Sequence, residues 1–264
     1  MAELRGVVAS LARRWSLTIG NPFEGTHGCS WVATAEHASG ERVVLKIGVP
    51  HFEADHEVDG LRFWNGDPTV RLIEADESLN AMLLEWCDPG TSLALSPAET
   101  QDEIVASLLT RLWRPVTDEQ PFRHLSIMVR HWCDEARDHE SKWPDRDLTE
   151  QGIQVFQELA RSARGDVLLA TDLHAGNVLQ ATRQPWLVID PKPFVGDPAY
   201  DATQHLFNRG ITSHPQPGEL IRSFARLLDV DAERVALWLF ARAAAEPRDH
   251  GWEDGIALAR RLRP

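Results

Sequence analysis

The sequence predicts an α+β chain in two lobes, the first a sheet carrying one internal helix and the second mainly helical. Three observations lead there. Short apolar runs of strand character dominate the first 87 residues, and Asp88-Pro89-Gly90-Thr91-Ser92 then concentrates turn formers. Beyond that segment the apolar positions recur with helical period. The expected division is an amino-terminal lobe over 1–87, a hinge over 88–95 and a carboxy-terminal lobe over 96–264.

Residues 3–14 read as a short amphipathic helix, followed by strands near 16–20, 30–36 and 42–48. The last two are joined by a turn at Ala38-Ser39-Gly40-Glu41. A helix over 52–65 sets Glu53, Glu57, Leu61 and Trp64 on one side and stops at Gly66-Asp67-Pro68. Strands over 70–75 and 81–87 complete the first lobe. In the second, helices are expected over 97–113, 122–142, 149–164, 198–209, 217–228, 231–245 and 252–262. Ser96-Pro97-Ala98-Glu99 supplies a capping signal for the first of these. Apolar runs at 167–170 and 186–189, with Val178 and Leu179 between them, interrupt the helices.

The 264 residues carry 27 Lys+Arg against 40 Asp+Glu, a formal net charge of −13, which excludes a nucleic-acid binder held by a basic face. With 43% hydrophobic residues the chain has ample core. No apolar run approaches the roughly 18 residues that span a bilayer. The start, Met1-Ala2-Glu3-Leu4-Arg5, lacks the pattern of a signal peptide, so a cytoplasmic protein without membrane contact, monomeric or weakly dimeric, is expected. Cys29, Cys87 and Cys133 are too few and too scattered for a disulfide framework or a thiolate zinc site. Lysine is nearly absent: only Lys46, Lys142 and Lys192 occur, and every other basic residue is Arg. A Lys inside an apolar strand therefore calls for a chemical explanation, because its compact ammonium does what a guanidinium does not.

The sharpest segment is Ala170-Thr171-Asp172-Leu173-His174-Ala175-Gly176-Asn177, followed by Leu187-Val188-Ile189-Asp190-Pro191. An Asp and an Asn five apart on a loop, with a second Asp at the end of the next strand, suit phosphoryl transfer. Asp172 would orient an attacking hydroxyl and take its proton, while Asn177 and Asp190 would hold magnesium against the phosphates of ATP. Lys46, in Val43-Val44-Leu45-Lys46-Ile47, resembles the strand lysine that meets the α- and β-phosphates in kinases. A buried lysine needs a partner: Glu57 is the first choice and Glu53, one turn earlier, the rival. Glu24-Gly25-Thr26-His27-Gly28-Cys29-Ser30 reads equally as a phosphate-approaching loop, with amides such as those of Gly28 and Ser30 as donors, or as an ordinary hairpin loop.

Taken together, Lys46, Asp172, Asn177 and Asp190 make the chain resemble the aminoglycoside phosphotransferase family, a branch of the bilobal protein-kinase-like fold, over nearly its full length. Asp-Leu-His-x-Gly-Asn at 172–177 is that family's catalytic-loop pattern. The stretch from Val188 through Pro191-Lys192-Pro193 to Asp201 is similar to the streptomycin 6-kinase and hydroxyurea phosphotransferase subgroup. The resemblance implies Asp172 as base, Asn177 and Asp190 as magnesium ligands, Lys46 as phosphate clamp, and backbone groups near Glu85-Trp86-Cys87 as the adenine hinge. Ala170-Thr171 stand where His-Gly usually precedes the catalytic Asp.

The expectation that follows is a small-molecule kinase acting on a small cationic hydroxylated substrate, with streptomycin as leading candidate. The acidity agrees, since carboxylates would attract a polycation; candidates lie in Asp134-Glu135 to Asp147 and at Glu246, Asp249, Glu253 and Asp254. His174 is read as a loop hydrogen-bonding residue, Asp197 and Asp201 as caps or catalytic-loop supports, and Lys192 as a phosphate contact or a subgroup feature without a role. A silent nucleotide-binding module would have no reason to keep all four site residues. A protein Ser/Thr kinase would show Asp-Phe-Gly and Ala-Pro-Glu around an activation segment, which this chain lacks.

Overall fold

The computed structural model describes residues 2–23, 30–117, 119–163, 165–246 and 253–264. The chain divides into two compact units, Met1–Thr91 with Leu179–Ile189, and Ser92–Val178 with Asp190–Pro264.

In the first unit, α1 (Ala2–Arg14) leads into β1 (Leu17–Pro22), β2 (Ser30–His37) and β3 (Arg42–Gly48). Then come α2 (Glu57–Trp64), β4 (Leu72–Asp76) and β5 (Ala81–Glu85). The strands form one antiparallel sheet in the order β1-β2-β3-β5-β4. The turn between β2 and β3 closes with Gly40 at φ +84, a conformation glycine adopts without a Cβ clash. Strand alternation on β3 sorts its side chains by face. Leu45 and Ile47 pack with Leu11 and Ala81, and with Leu4, Val7 and Val8, the i, i+3, i+4 stripe of α1. Val44 faces the other way, into a cluster with Val58 and Leu61 of α2 and Met82 and Leu84 of β5. Lys46, two residues on, shares that second face.

The hairpin of β7 (Val178–Gln180) and β8 (Trp186–Val188) follows the loop at 170–177 in sequence. Its Leu179–Ile189 segment nevertheless belongs to the first unit, where the sequence division had placed it in the carboxy-terminal lobe. Ala181 and Leu187 join the cluster of Val58, Val70 and Met82. Gly90 N donates to Gln180 O at 3.0 Å and Val70 N to Val188 O at 2.9 Å. The second of these bonds explains why β4 starts at Leu72 rather than at 70: Val70 is already paired with the hairpin.

The expected helix over 52–65 is shorter. A 3₁₀ turn at Phe52–Ala54 precedes α2, and His56, at φ −118 and ψ 19, breaks the helical path between them. Glu57 therefore opens α2 rather than sitting in mid-helix.

The second unit holds α3 (Ala98–Leu112), α4 (Leu125–Asp138), α5 (Arg146–Arg161), β6 (Val167–Leu169), β9 (Phe194–Gly196) and α6 (Pro198–Asn208). It ends with α7 (Pro217–Leu228), α8 (Ala232–Ala245) and α9 (Glu253–Leu262). Helix α4 stops four residues before the expected 142 because the chain tightens into a 3₁₀ turn at Glu140–Lys142. Helix α5 begins at 146, not 149, because the Asp145 side chain accepts Leu148 N at 3.2 Å and caps it. Helix α8 is the core element: Trp238, Leu239, Phe240 and Ala241 have no exposed surface. Phe156 and Tyr200 meet Trp238 edge-on at 5.7 and 5.2 Å. At Gly152 a Cβ would lie 2.5 Å from Ala244 Cβ, so glycine is what lets α5 approach α8. Among the described residues, no helix is long and apolar enough to cross a membrane.

Candidate active site

Lys46 is 6% exposed and Glu57 4%, and Lys46 Nζ donates to Glu57 Oε1 at 2.5 Å. Each charge offsets the other's loss of water. The start of α2 also favours a carboxylate, since the free amides of the first turn carry partial positive charge. Glu57, the first of the two partners expected for Lys46, is in contact with it.

Glu85 ends β5, and its amide donates to Arg71 O at 3.0 Å. Its carboxylate accepts both Arg183 Nε and Nη2 at 2.8 Å, and Arg71 N at 2.9 Å. Burial alone would raise the Glu85 carboxyl, but the guanidinium and the amide outweigh it and hold the group below its usual range. Arg183 also donates to Gly66 O at 2.7 Å and Thr69 O at 3.0 Å. It therefore fastens the hairpin turn to the strand end that leads into the hinge. Burial pushes the Cys87 thiol up to about 11, so it is an inert packing group. Between them, the Trp86 ring lies under the Arg42 guanidinium at 4.6 Å and stacks with Phe23 at 6.4 Å. Ser30 opens β2 opposite Gly48. Gly28 and the rest of the loop at 24–29 lie outside the described residues.

In the second unit the loop at 170–177 leaves β6 at Ala170 and reaches β7 through a 3₁₀ turn at Ala175–Asn177. Buried Asp201, on α6, accepts Ala170 N at 3.0 Å, Thr171 N at 2.7 Å and Trp113 Nε1 at 2.9 Å. Burial raises its carboxyl to about 6 against those hydrogen bonds. Thr171 sits at φ +42, a conformation held by these contacts and by its hydroxyl, which donates to Lys192 O at 2.7 Å. Asp201 and this hydroxyl support the loop where the usual His-Gly is replaced by Ala170-Thr171.

Asp172 follows directly, and Asn177 Nδ2 donates to Asp172 O at 3.0 Å. That bond uses the amide nitrogen and leaves Asn177 Oδ1 as the acceptor. Asp190, at φ +54, receives Lys192 Nζ, while Lys192 N donates to Ala170 O at 2.9 Å. The structure thus joins Asp172, Asn177 and Asp190 through the loop at 170–177 and through Lys192. His174 Nδ1 accepts Gly176 N at 3.0 Å, and burial lowers its pKa, which fits a neutral loop-shaping imidazole. Asp197 caps α6 and receives Trp238 Nε1 at 2.7 Å together with Arg234.

The donor set fits a hard divalent cation: one amide oxygen and one carboxylate, with phosphate oxygens and water left to complete the shell. Among the described residues there is no group of three or more His, Cys, Asp or Glu arranged to hold a metal unaided. Of the acidic substrate candidates, Glu246 is committed to Arg242 at 2.5 Å and Asp145 to Arg260 at 2.8 Å. Asp249 lies outside the described residues. Sequence reasoning missed Arg183 and the Thr171 hydroxyl: their partners are remote along the chain, and one Arg among many carries no local signal.

A profile of the family described as "Aminoglycoside/hydroxyurea antibiotic resistance kinase" matches residues 14–249. A streptomycin 6-kinase of Streptomyces glaucescens is 32% identical over 92% of this chain and 81% of its own length. A hydroxyurea phosphotransferase of Kitasatospora aureofaciens is 34% identical over 90% of this chain and 71% of its own. Among solved structures, a choline kinase from Streptococcus pneumoniae superposes with a TM-score of 0.67 at 11% identity, over 99% of this chain and 98% of its own. The fold is protein-kinase-like, and the chain belongs to the aminoglycoside/hydroxyurea antibiotic resistance kinase family of phosphotransferases that act on hydroxyl groups.

Proposed function

We propose that this kinase transfers the γ-phosphate of ATP to a hydroxyl of an aminoglycoside-type antibiotic, with streptomycin, at its 6-position, as the leading acceptor. The observation that carries the chemistry is the loop at 170–177, where Asp201 and Thr171 pin the backbone on which Asp172 and Asn177 stand. Asp172 is assigned the acceptor's proton, and Lys46, oriented by Glu57, the α- and β-phosphates. Asn177 and Asp190 are the residues that would hold magnesium. When bound, magnesium offsets phosphate charge and orients the transferring group. The hinge around Glu85-Trp86-Cys87 is assigned to the nucleobase, with Arg183 keeping Glu85 in place. Gly28 and Ser30 remain assigned to phosphate through their amides. The acceptor assignment draws on the relatives named streptomycin 6-kinase and on the net charge of −13, which favours a polycation.

A second reading, hydroxyurea as acceptor, is favoured by the hydroxyurea phosphotransferase at 34% identity. Both are tested by incubating purified protein with ATP and magnesium against streptomycin, other aminoglycosides and hydroxyurea, following ADP release and product mass. Streptomycin gaining one phosphate at the highest kcat/KM is the expected result. Turnover of hydroxyurea alone selects the second reading, and turnover of neither overturns both.

A further inference from the structure

Lys192 is 6% exposed in a chain with only three lysines, and it lies between Pro191 and Pro193, whose rings fix the backbone. Its amide and carbonyl are bonded to Ala170 O and Thr171 Oγ1, so its backbone is fastened to the catalytic loop. From that anchor its ammonium reaches back two residues to Asp190 Oδ1. The Asp190 side chain is 35% exposed against 7% for Lys192, so the cation holds the carboxylate from the buried side. A divalent ion arriving alone at Asp190 meets a carboxylate already neutralised, and is repelled by the ammonium. A divalent ion arriving on a nucleotide brings phosphate charge that offsets the same ammonium.

We propose that Lys192 is a positioning residue that acts as the resident counter-ion of Asp190, so that the divalent cation binds with the nucleotide and only weakly before it. The inference rests on the reading of Asp190 as a metal ligand. Its test is the Mn²⁺ affinity of the full-length protein, read from the free-ion electron paramagnetic resonance signal with and without a non-hydrolysable ATP analogue. The wild type should bind Mn²⁺ at least about tenfold more weakly without nucleotide than with it, after correction for metal on free nucleotide. Lys192→Met and Lys192→Gln should bind Mn²⁺ about tenfold more tightly than wild type in the nucleotide-free state, whereas Lys192→Arg should stay near wild type. A lysine that only packs would, when replaced, weaken the site or leave it unchanged. Unchanged or weaker Mn²⁺ binding in a folded Met or Gln variant overturns the proposal. So does a wild type that binds Mn²⁺ equally well without nucleotide, which requires no variant at all. Asp190→Asn separates the two claims. If it binds Mn²⁺ with nucleotide as the wild type does, the metal-ligand reading fails. If it loses that binding while Lys192→Met behaves as wild type, the counter-ion role alone fails.

Discussion

Lys46 with Glu57 in the first unit and Lys192 with Asp190 in the second are both lysine–carboxylate pairs, but their surroundings differ. In the first pair the side chains are 8% and 5% exposed; in the second, 7% and 35%. Glu57 has exchanged water for an ammonium and a helix start. Asp190 keeps part of its hydration and can change partners. One pair is suited to hold a fixed shape, the other to pass a carboxylate from an internal cation to an incoming one.

The comparison breaks most visibly at Lys46. Lys46→Met removes the ammonium beside buried Glu57 and should cost about 3–5 kcal/mol of stability, read by urea denaturation. The double variant Lys46→Met, Glu57→Leu should recover most of that stability without recovering activity. Recovery of both would make the pair purely structural. Lys46→Arg tests the chemistry separately: near-normal kcat/KM for ATP would remove Lys46 from the phosphate assignment.

Another buried acid, Asp201, sharpens the contrast because amides and an indole N–H, not a lysine, bond to it. Its folded pKa, about 6, lies above the ordinary 3.8. The folded state therefore holds the proton more tightly than the unfolded chain. The stability this contributes is complete below about pH 4 and lost as pH rises through about 6, an effect of about 3 kcal/mol. Relative to Asp201→Asn, the wild type should lose stability over that interval; a flat difference would show that the carboxyl is not raised.

The smallest effect belongs to the half-buried pair, Lys192 with Asp190. Lys192→Met should cost only about 1 kcal/mol, since Asp190 retains water. A loss as large as that of Lys46→Met would erase the distinction between the two pairs.

Much of the candidate site was legible in the chain itself. Asp172, Asn177 and Asp190 stand on local segments whose spacing survives folding, and Lys46 announced itself as a charge in an apolar strand. Glu57 was found for a partly wrong reason: apolar period ran across Asp55-His56, where the backbone is not helical, so one long helix was expected in place of a 3₁₀ turn and a short one. The move of Leu179–Ile189 into the first unit left no local trace, because it depends on Ala181 and Leu187 meeting a core more than 90 residues earlier in the chain. Arg183 is hidden for the same reason.

The most direct measurement of the account is the single-turnover rate of streptomycin phosphorylation by the wild type and by Asp172→Asn, with nucleotide affinity measured in parallel. Asp172→Asn should bind the ATP analogue nearly as well as wild type while the rate falls by roughly 10²–10⁴, the range expected when a positioned base is lost. A variant that keeps more than about a tenth of the wild-type rate would contradict the assignment of Asp172 as the base on which this site is built.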